Sequence, residues 1–402
     1  MKRAVYMIVA FATCTLILVG CAAQKEAEKP VFYPAPPELP RLQYLTSFTG
    51  ARDVEGDRPI FEAFITGEKS SRKKLQKPYG VAIYQGKIYV CDTGDTVVVF
   101  DLDKKTYEAL KGAEGQGKLL QPVNISIDKD GNKYVADPLR KQVVVFDRND
   151  LFVKALGMSG NWRPVDAVPY EGKVYVVDPD QSAIRVFDFA TGKLVKTFGT
   201  DQLDRPQNLF IDNEGYLYVT DIGRFQVVRF DRDGHFLKAI GAPGLNWGNF
   251  ARPKGLAVDK AGRLYVADAH FFNVQIFKKD TGQLLTFFGE PGDVPGKMVI
   301  PAKVVVDYEN TKYFQKYLDP GFEMEYLVLV TNQWGNHMVS VFAFGKEKGI
   351  KYPTDEELDA ELRAKILENA KKEFKTGEQP PSPEGESVER PAEKPAEGEK
   401  GK

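Results

Sequence analysis

The chain has 402 residues, 43% of them apolar and 28% charged, with 55 Lys and Arg against 56 Asp and Glu. A formal net charge of −1 excludes a globally basic nucleic-acid binder, while a local basic patch stays open. Three Cys supply neither a disulfide framework nor a Cys₄ zinc site, and three His leave little room for His-rich metal chemistry.

Lys2 and Arg3 precede an apolar run from Ala4 to Val19. At about 16 residues that run is short of the roughly 20 a spanning helix needs, and it reads as an export signal over 1–20. It ends in Leu18-Val19-Gly20-Cys21, which resembles the lipobox of bacterial lipoproteins. The resemblance implies cleavage before Cys21 and a lipid on its thiol, hence a membrane partner; an ordinary signal peptide or a short anchor helix is the alternative. Ala22, rather than Asp, follows the cysteine. By the sorting rule of Gram-negative lipoproteins this implies the outer membrane, on its periplasmic or surface face. Cys14 would leave with the signal, so Cys91, inside the apolar Ile88-Tyr89-Val90, would remain as a buried inert thiol. Residues 21–40, with Pro at 30, 34, 36, 37 and 40, read as an extended tether.

The next stretch repeats six times. Pro78, Pro122, Pro164, Pro206, Pro253 and Pro301 open units spaced by 44, 42, 42, 47 and 48 residues. Fourteen or fifteen residues after the first five comes a strand ending in Asp92, Asp137, Asp178, Asp221 or Asp268; Asn332 is the delayed sixth counterpart. A third element ends in Phe100, Phe146, Phe187, Phe230, Phe277 and Phe342. A fourth, such as Leu194–Gly199, closes most units. Four short strands per unit predict an all-β fold, a six-bladed β-propeller over 41–349. The sixth unit lacks its fourth strand, while Leu42–Gly50 resembles one. That N-terminal strand is expected to complete the last blade and remove an open sheet edge.

Pro253-Lys254-Gly255-Leu256-Ala257-Val258-Asp259, the Leu264–Asp268 centre and a terminal Phe-Gly resemble NHL repeats, and the likeness runs from Lys77 through Phe342. It implies the propeller strongly and function weakly, because NHL-type propellers include lyases, RNA binders, scaffolds and secreted proteins of no known activity. Lipobox, tether and six blades together resemble NHL-repeat lipoproteins of the bacterial cell envelope.

Beyond the repeats, Thr354 and Glu357 are placed for a capping box opening a helix over 350–376. Leu358, Leu362, Ile366, Ala370 and Phe374 form its apolar stripe, to pack on the propeller or on a partner. Residues 377–402, almost without apolar side chains, read as a disordered tail.

Loop order puts all three Trp and two of the three His at one end of the ring. Arg140, Trp162, Arg224, Trp247, His270, Phe271, Trp334 and His337 are the candidate ligand or partner face; the alternative is that several rings plug grooves between blades. The repeated Asp are expected to accept backbone N–H groups in adjacent turns rather than hold metal. The Arg before Pro164, Pro206 and Pro253 are expected to pair across blades. The insertion 308–322 falls at the opposite end, for packing beneath the barrel or for a partner.

The resemblance brings two enzyme classes with it. Amidating lyases hold zinc with His, and His270 with His337 are too few. Lactonases hold calcium with Glu, Asn and Asp, and Asn124, Asp166 and Asn208 share a channel-facing register with Gly80, Gly255 and Lys303. No catalytic residue, metal ligand or cofactor is assigned. The reading is a lipid-anchored extracytoplasmic propeller binding a protein or small ligand at its channel mouth, with no nucleic acid; the alternative is a metal-dependent enzyme of lyase or lactonase type.

Overall fold

In the computed structural model, residues 29–56, 73–94, 96–158, 160–354 and 357 are described. The export signal, Cys21, most of the 350–376 helix and the 377–402 tail lie outside the described residues, so the expectations placed on them are not addressed by the fold. Among the described residues no helix is long and apolar enough to cross a membrane.

Two strands precede the repeats, β1 (Phe32–Tyr33) and β2 (Leu42–Phe48). Blade one is β3 (Pro78–Tyr84), β4 (Lys87–Asp92), β5 (Val97–Asp101) and β6 (Thr106–Ala109). Blade two is β7 (Asn124–Ile127), β8 (Lys133–Asp137), β9 (Gln142–Phe146) and β10 (Phe152–Leu156). Blade three is β11 (Asp166–Tyr170), β12 (Lys173–Asp178), β13 (Ala183–Asp188) and β14 (Leu194–Phe198). Blade four is β15 (Pro206–Ile211), β16 (Leu217–Asp221), β17 (Gln226–Phe230) and β18 (Phe236–Ile240). Blade five is β19 (Pro253–Val258), β20 (Arg263–Asp268), β21 (Asn273–Lys278) and β22 (Leu284–Phe288). Blade six contributes β23 (Pro301–Asp307), β24 (Phe322–Asn332) and β25 (Val339–Glu347). All pairings within blades are antiparallel, and the first strand of each is innermost.

The middle strands are apolar on both faces because each face meets a different neighbour. Val98 and Phe100 pack with blade six, whereas Val97 and Val99 pack with blade two. Val174 and Val176 likewise face blade two, and Tyr175 and Val177 face blade four. Each such side chain taken from water contributes about 1.5–3 kcal/mol. This core, distributed over the gaps between blades, holds the ring.

The ring closes as expected: β2 pairs antiparallel with β25, from Leu42 opposite Phe344 to Phe48 opposite Val339. Closure goes one strand further than the repeat count suggests. β1 adds to β2, so the sixth sheet has five strands in the order β1-β2-β25-β24-β23. The stretch read as the distal part of a tether is therefore partly built into the blade. The Tyr33 hydroxyl donates to the Gly296 carbonyl at 2.8 Å, and its ring lies 6.3 Å from Phe288 and from Phe342.

The aromatic insertion of blade six forms two short 3₁₀ turns, Thr311–Tyr313 and Gln315–Tyr317, that latch the seam. Phe314 is buried beside Phe48, and Asn310 Oδ1 accepts the Gly86 N–H at 2.8 Å. Tyr313 donates to Asp103, and Gln43 donates to the Tyr317 carbonyl.

From Gly349 the chain is a separate unit. Within it the capping box is present: the Glu357 N–H donates to Thr354 Oγ1 at 3.1 Å, and the Thr354 N–H to Glu357 Oε2 at 2.8 Å.

Candidate functional site

The repeated acids are turn acceptors. Asp92 accepts the N–H groups of Gln76 and Lys77 at 2.6 and 2.8 Å, and Asp221 those of Asp204 and Arg205, both at 2.9 Å. Asp137, Asp178 and Asp268 do the same in their own blades. Each carboxylate staples the loop entering its innermost strand to the end of the second, and Asn332 does this for Val299 with an amide oxygen. Charge-assisted bonds of this kind are worth about 1.5–3 kcal/mol each.

The eight residues assigned to a recognition face separate into groups. Trp162, 1% exposed, lies in the gap between blades two and three, 5.7 Å from Phe187. Its side chain is core and leaves the proposed face. Arg140 donates to the carbonyls of Lys118 and Gln116 at 2.5 and 2.7 Å, and Arg224 donates to those of Gln202 and Asp201 at 2.9 and 3.0 Å. These two guanidiniums hold equivalent loops in blades two and four. His337 Nδ1 sits 2.7 Å from Ser47 Oγ, on the closing strand. Trp247 and Trp334 remain open, 59% and 54% exposed. Trp247 stacks on Phe287 at 4.0 Å with Phe271 at 6.4 Å, and His270 lies exposed beside Phe271. The Trp334 turn is pinned by Asn336, which donates to both carboxylate oxygens of Asp293.

The arginines before prolines do not bridge blades. Arg163 pairs with Asp180 of its own blade at 2.7 Å, and Arg205 lies 3.8 Å from the adjoining Asp204. Arg252 is exposed at the entry to β19 without an ion-pair partner among the described residues.

The channel is crossed by a polar tier. Its register positions are Gly80, Asn124, Asp166, Asn208, Gly255 and Lys303, where the innermost strands crowd together. A Cβ on Gly80 would come within 2.6 Å of the Asn124 Cα, and one on Gly255 within 2.4 Å of the Lys303 Cα. Lys303 Nζ donates to Asn208 Oδ1 at 2.8 Å and lies 3.5 Å from Asp166 Oδ2. Asp166 also accepts the Leu209 and Ala167 N–H groups, yet burial keeps its carboxyl above the ordinary range, against the pull of Lys303. Two buried atoms of this tier, Asn124 Oδ1 and Asn208 Nδ2, have no partner. The amine of Lys303 thus occupies the space that the calcium reading of Asn124, Asp166 and Asn208 requires, so these residues do not fit that metal. Among the described residues no cluster of three His, Cys, Asp or Glu is placed to hold an ion.

On the side of the strand-one to strand-two turns, a cavity of about 900 Å³ is lined by all six innermost strands, with Lys303 among its walls. Towards the Trp face, one residue nearer the start of each strand, lies a tier that sequence reasoning missed. There Lys254 is 5% exposed, its Nζ donating to Gln333 Oε1 at 2.8 Å and lying 5.2 Å from the centre of the Tyr79 ring. Burial first, then Arg252 and Lys77, pushes its ammonium down to about 7. The signal was present in the repeat: the residue after the opening proline is Tyr79, Val123, Val165, Gln207, Lys254 or Ala302, and a lysine stands out in that series.

The NHL repeat pattern matches residues 250–277, which span the first three strands of blade five. The Drosophila melanogaster protein brain tumor is 24% identical over 134 residues, covering 31% of this chain and only 13% of that protein. Two solved structures from Bacteroides thetaiotaomicron VPI-5482 share the fold. One, a protein of unknown function, is 16% identical with a TM-score of 0.53, covering 75% of each chain. The other, an auxiliary nutrient binding protein, is 12% identical with a TM-score of 0.54, covering 77% of this chain and 78% of that one. With five four-stranded blades and a sixth completed by its N-terminal strands, the chain is a six-bladed β-propeller that carries an NHL repeat in blade five.

Proposed function

We propose that the chain is a lipid-anchored extracytoplasmic propeller of the bacterial envelope, tied to the outer membrane through Cys21, that binds a protein or small ligand at one end of its ring. The observation that carries this reading is the exposure of Trp247 and Trp334, both in loops at the end of the ring where Lys254 bonds Gln333. Exposed aromatic surface near a buried polar side chain is the composition of a recognition site. A propeller of the same fold described as an auxiliary nutrient binding protein is consistent with such a role. The metal-dependent alternative loses its calcium set to Lys303.

Photo-crosslinkers placed at Trp247 and Trp334, against one at Tyr317 on the insertion, test the site. Adducts formed in intact envelopes from the first two positions support it. Adducts from Tyr317 alone move the site to the insertion. Cys21→Ser should abolish lipid labelling, and unchanged labelling would refute the anchor. Stoichiometric zinc or calcium accompanied by turnover would favour the enzyme.

A further inference from the structure

The channel mouth holds a charge that the protein leaves uncompensated. The Lys254 ammonium has three donors, and the one bond it makes to a side chain is to the neutral amide oxygen of Gln333. Its charged neighbours, Arg252 and Lys77, carry the same sign, and among the described residues no carboxylate lies within ion-pair distance of it. Other buried lysines of the ring follow the opposite rule. Lys133 lies 2.7 Å from Asp150, and Lys303 3.5 Å from Asp166. A buried cation without a counter-charge is strongly disfavoured. Lys254 is nevertheless fixed in place: Thr220 Oγ1 holds its carbonyl, the Tyr79 ring faces its amine at 5.2 Å, and Gln333 orients that amine. Arg252 and Lys77, both exposed, each directly precede the opening proline of an innermost strand and so enter at the same end of the ring as Lys254.

We propose that Lys254, Arg252 and Lys77 form an oxyanion-binding site at the channel mouth, taking the carboxylate or phosphate group of a small solute. The proposal rests on the reading of this end of the ring as the binding face, and names the chemistry of its ligand. Arg252 supplies a planar guanidinium able to grip two oxygens, Lys254 a point charge from the channel side, and Gln333 keeps that amine aimed at the opening.

The test compares the full-length chain in detergent at constant ionic strength in sodium chloride, sodium phosphate and sodium succinate, first by thermal midpoint and then by calorimetric titration. Both anions also stabilise proteins nonspecifically, so the readout is wild type minus variant. In Lys254→Met the apparent Kd for the bound oxyanion should rise at least tenfold, and in Arg252→Gln, an exposed position that should not disturb folding, several-fold. A response to phosphate alone assigns phosphorylated solutes, and one to succinate alone assigns carboxylates. If neither oxyanion binds, or if binding is unchanged in both variants, the proposal fails. In that event crosslinking from Trp247 and Trp334 still decides the recognition face on its own.

Discussion

The amine of Lys303, on the innermost strand of the last blade, reaches Asn208 on the innermost strand of blade four, 2.8 Å away, with Asp166 of blade three at 3.5 Å. Three blades thus meet through one side chain, and the channel is crossed by a polar tier rather than left as a through-pore. The same contact binds the late part of the chain to its middle, independently of the closure made by β2.

Removing that amine should therefore weaken the ring. Lys303→Met leaves Asp166 buried without its cation, a change expected to cost about 3–5 kcal/mol. The sign of its pH dependence follows from Asp166, which faces Lys303 and the Leu209 and Ala167 N–H groups, with the buried Tyr79 and Cys91 nearby. Its carboxyl already lies above the ordinary range and rises further once Lys303 is gone. The folded variant then holds a proton that the unfolded chain releases, so its deficit should grow as pH rises and shrink towards pH 5. Urea midpoints across pH 5–8 check this, and Lys303→Met with Asp166→Asn should lose less than Lys303→Met alone.

Phe48 ties the closing strand to two other parts of the ring, 5.4 Å from Phe100 of blade one and 6.3 Å from Phe314 of the insertion. Phe48→Ala should cost about 3–5 kcal/mol in urea denaturation. Because the loss falls at the seam, the amides of β25 should also exchange faster with deuterium than those of β13. A mild, uniform effect would mean that the seam does not hold the ring.

The blade count, the strand that closes it and the turn role of the acids were legible because each is local and repeated. Asp92 and Asp268 do the same work 176 residues apart, and a period reveals such work without any tertiary information. The β1 strand was not legible, since Val31-Phe32-Tyr33 lies amid prolines and gains its order from blade six. Which side chains of the candidate face stay exposed was not legible either. Loop order gives the end to which Trp162 belongs, but not whether its ring turns into the groove between blades two and three. Lys254 stands out in the sequence only as a lysine after an opening proline; the lack of a carboxylate nearby is a fact of three-dimensional neighbours.

That contrast between tryptophans can be measured. Trp162→Ala empties a closed gap beside Phe187, Val143 and Val176 and should destabilise the chain by about 3–5 kcal/mol. Trp247→Ala removes an exposed ring stacked on Phe287, for which about 1 kcal/mol is expected. Partner or ligand affinity should respond in the opposite order, falling for Trp247→Ala and staying constant for whatever Trp162→Ala protein remains folded. Equal stability losses would place both rings in the core and remove the aromatic part of the recognition face.

Lys254 gives stability a pH dependence that separates a site held ready for an anion from a charge already compensated. Its folded value of about 7 lies below the roughly 10.4 expected in the unfolded chain. Between those values the unfolded state binds more protons than the folded one, so this residue makes stability rise with pH across that window. Below pH 7 both states are protonated and the folded protein carries the full cost of the buried ammonium, on the order of 5 kcal/mol as an upper bound. In chloride buffer Lys254→Met should therefore be more stable than wild type at pH 6, with the difference fading towards pH 10. The Arg252 and Lys77 charges and the Tyr79 and Gln333 side chains are common to both proteins, so the difference isolates the amine. Saturating oxyanion should narrow the gap at pH 6, because a bound counter-charge restores what burial removed. If wild type is instead the more stable protein at pH 6 in chloride alone, the ammonium is already satisfied from within, and the oxyanion proposal fails.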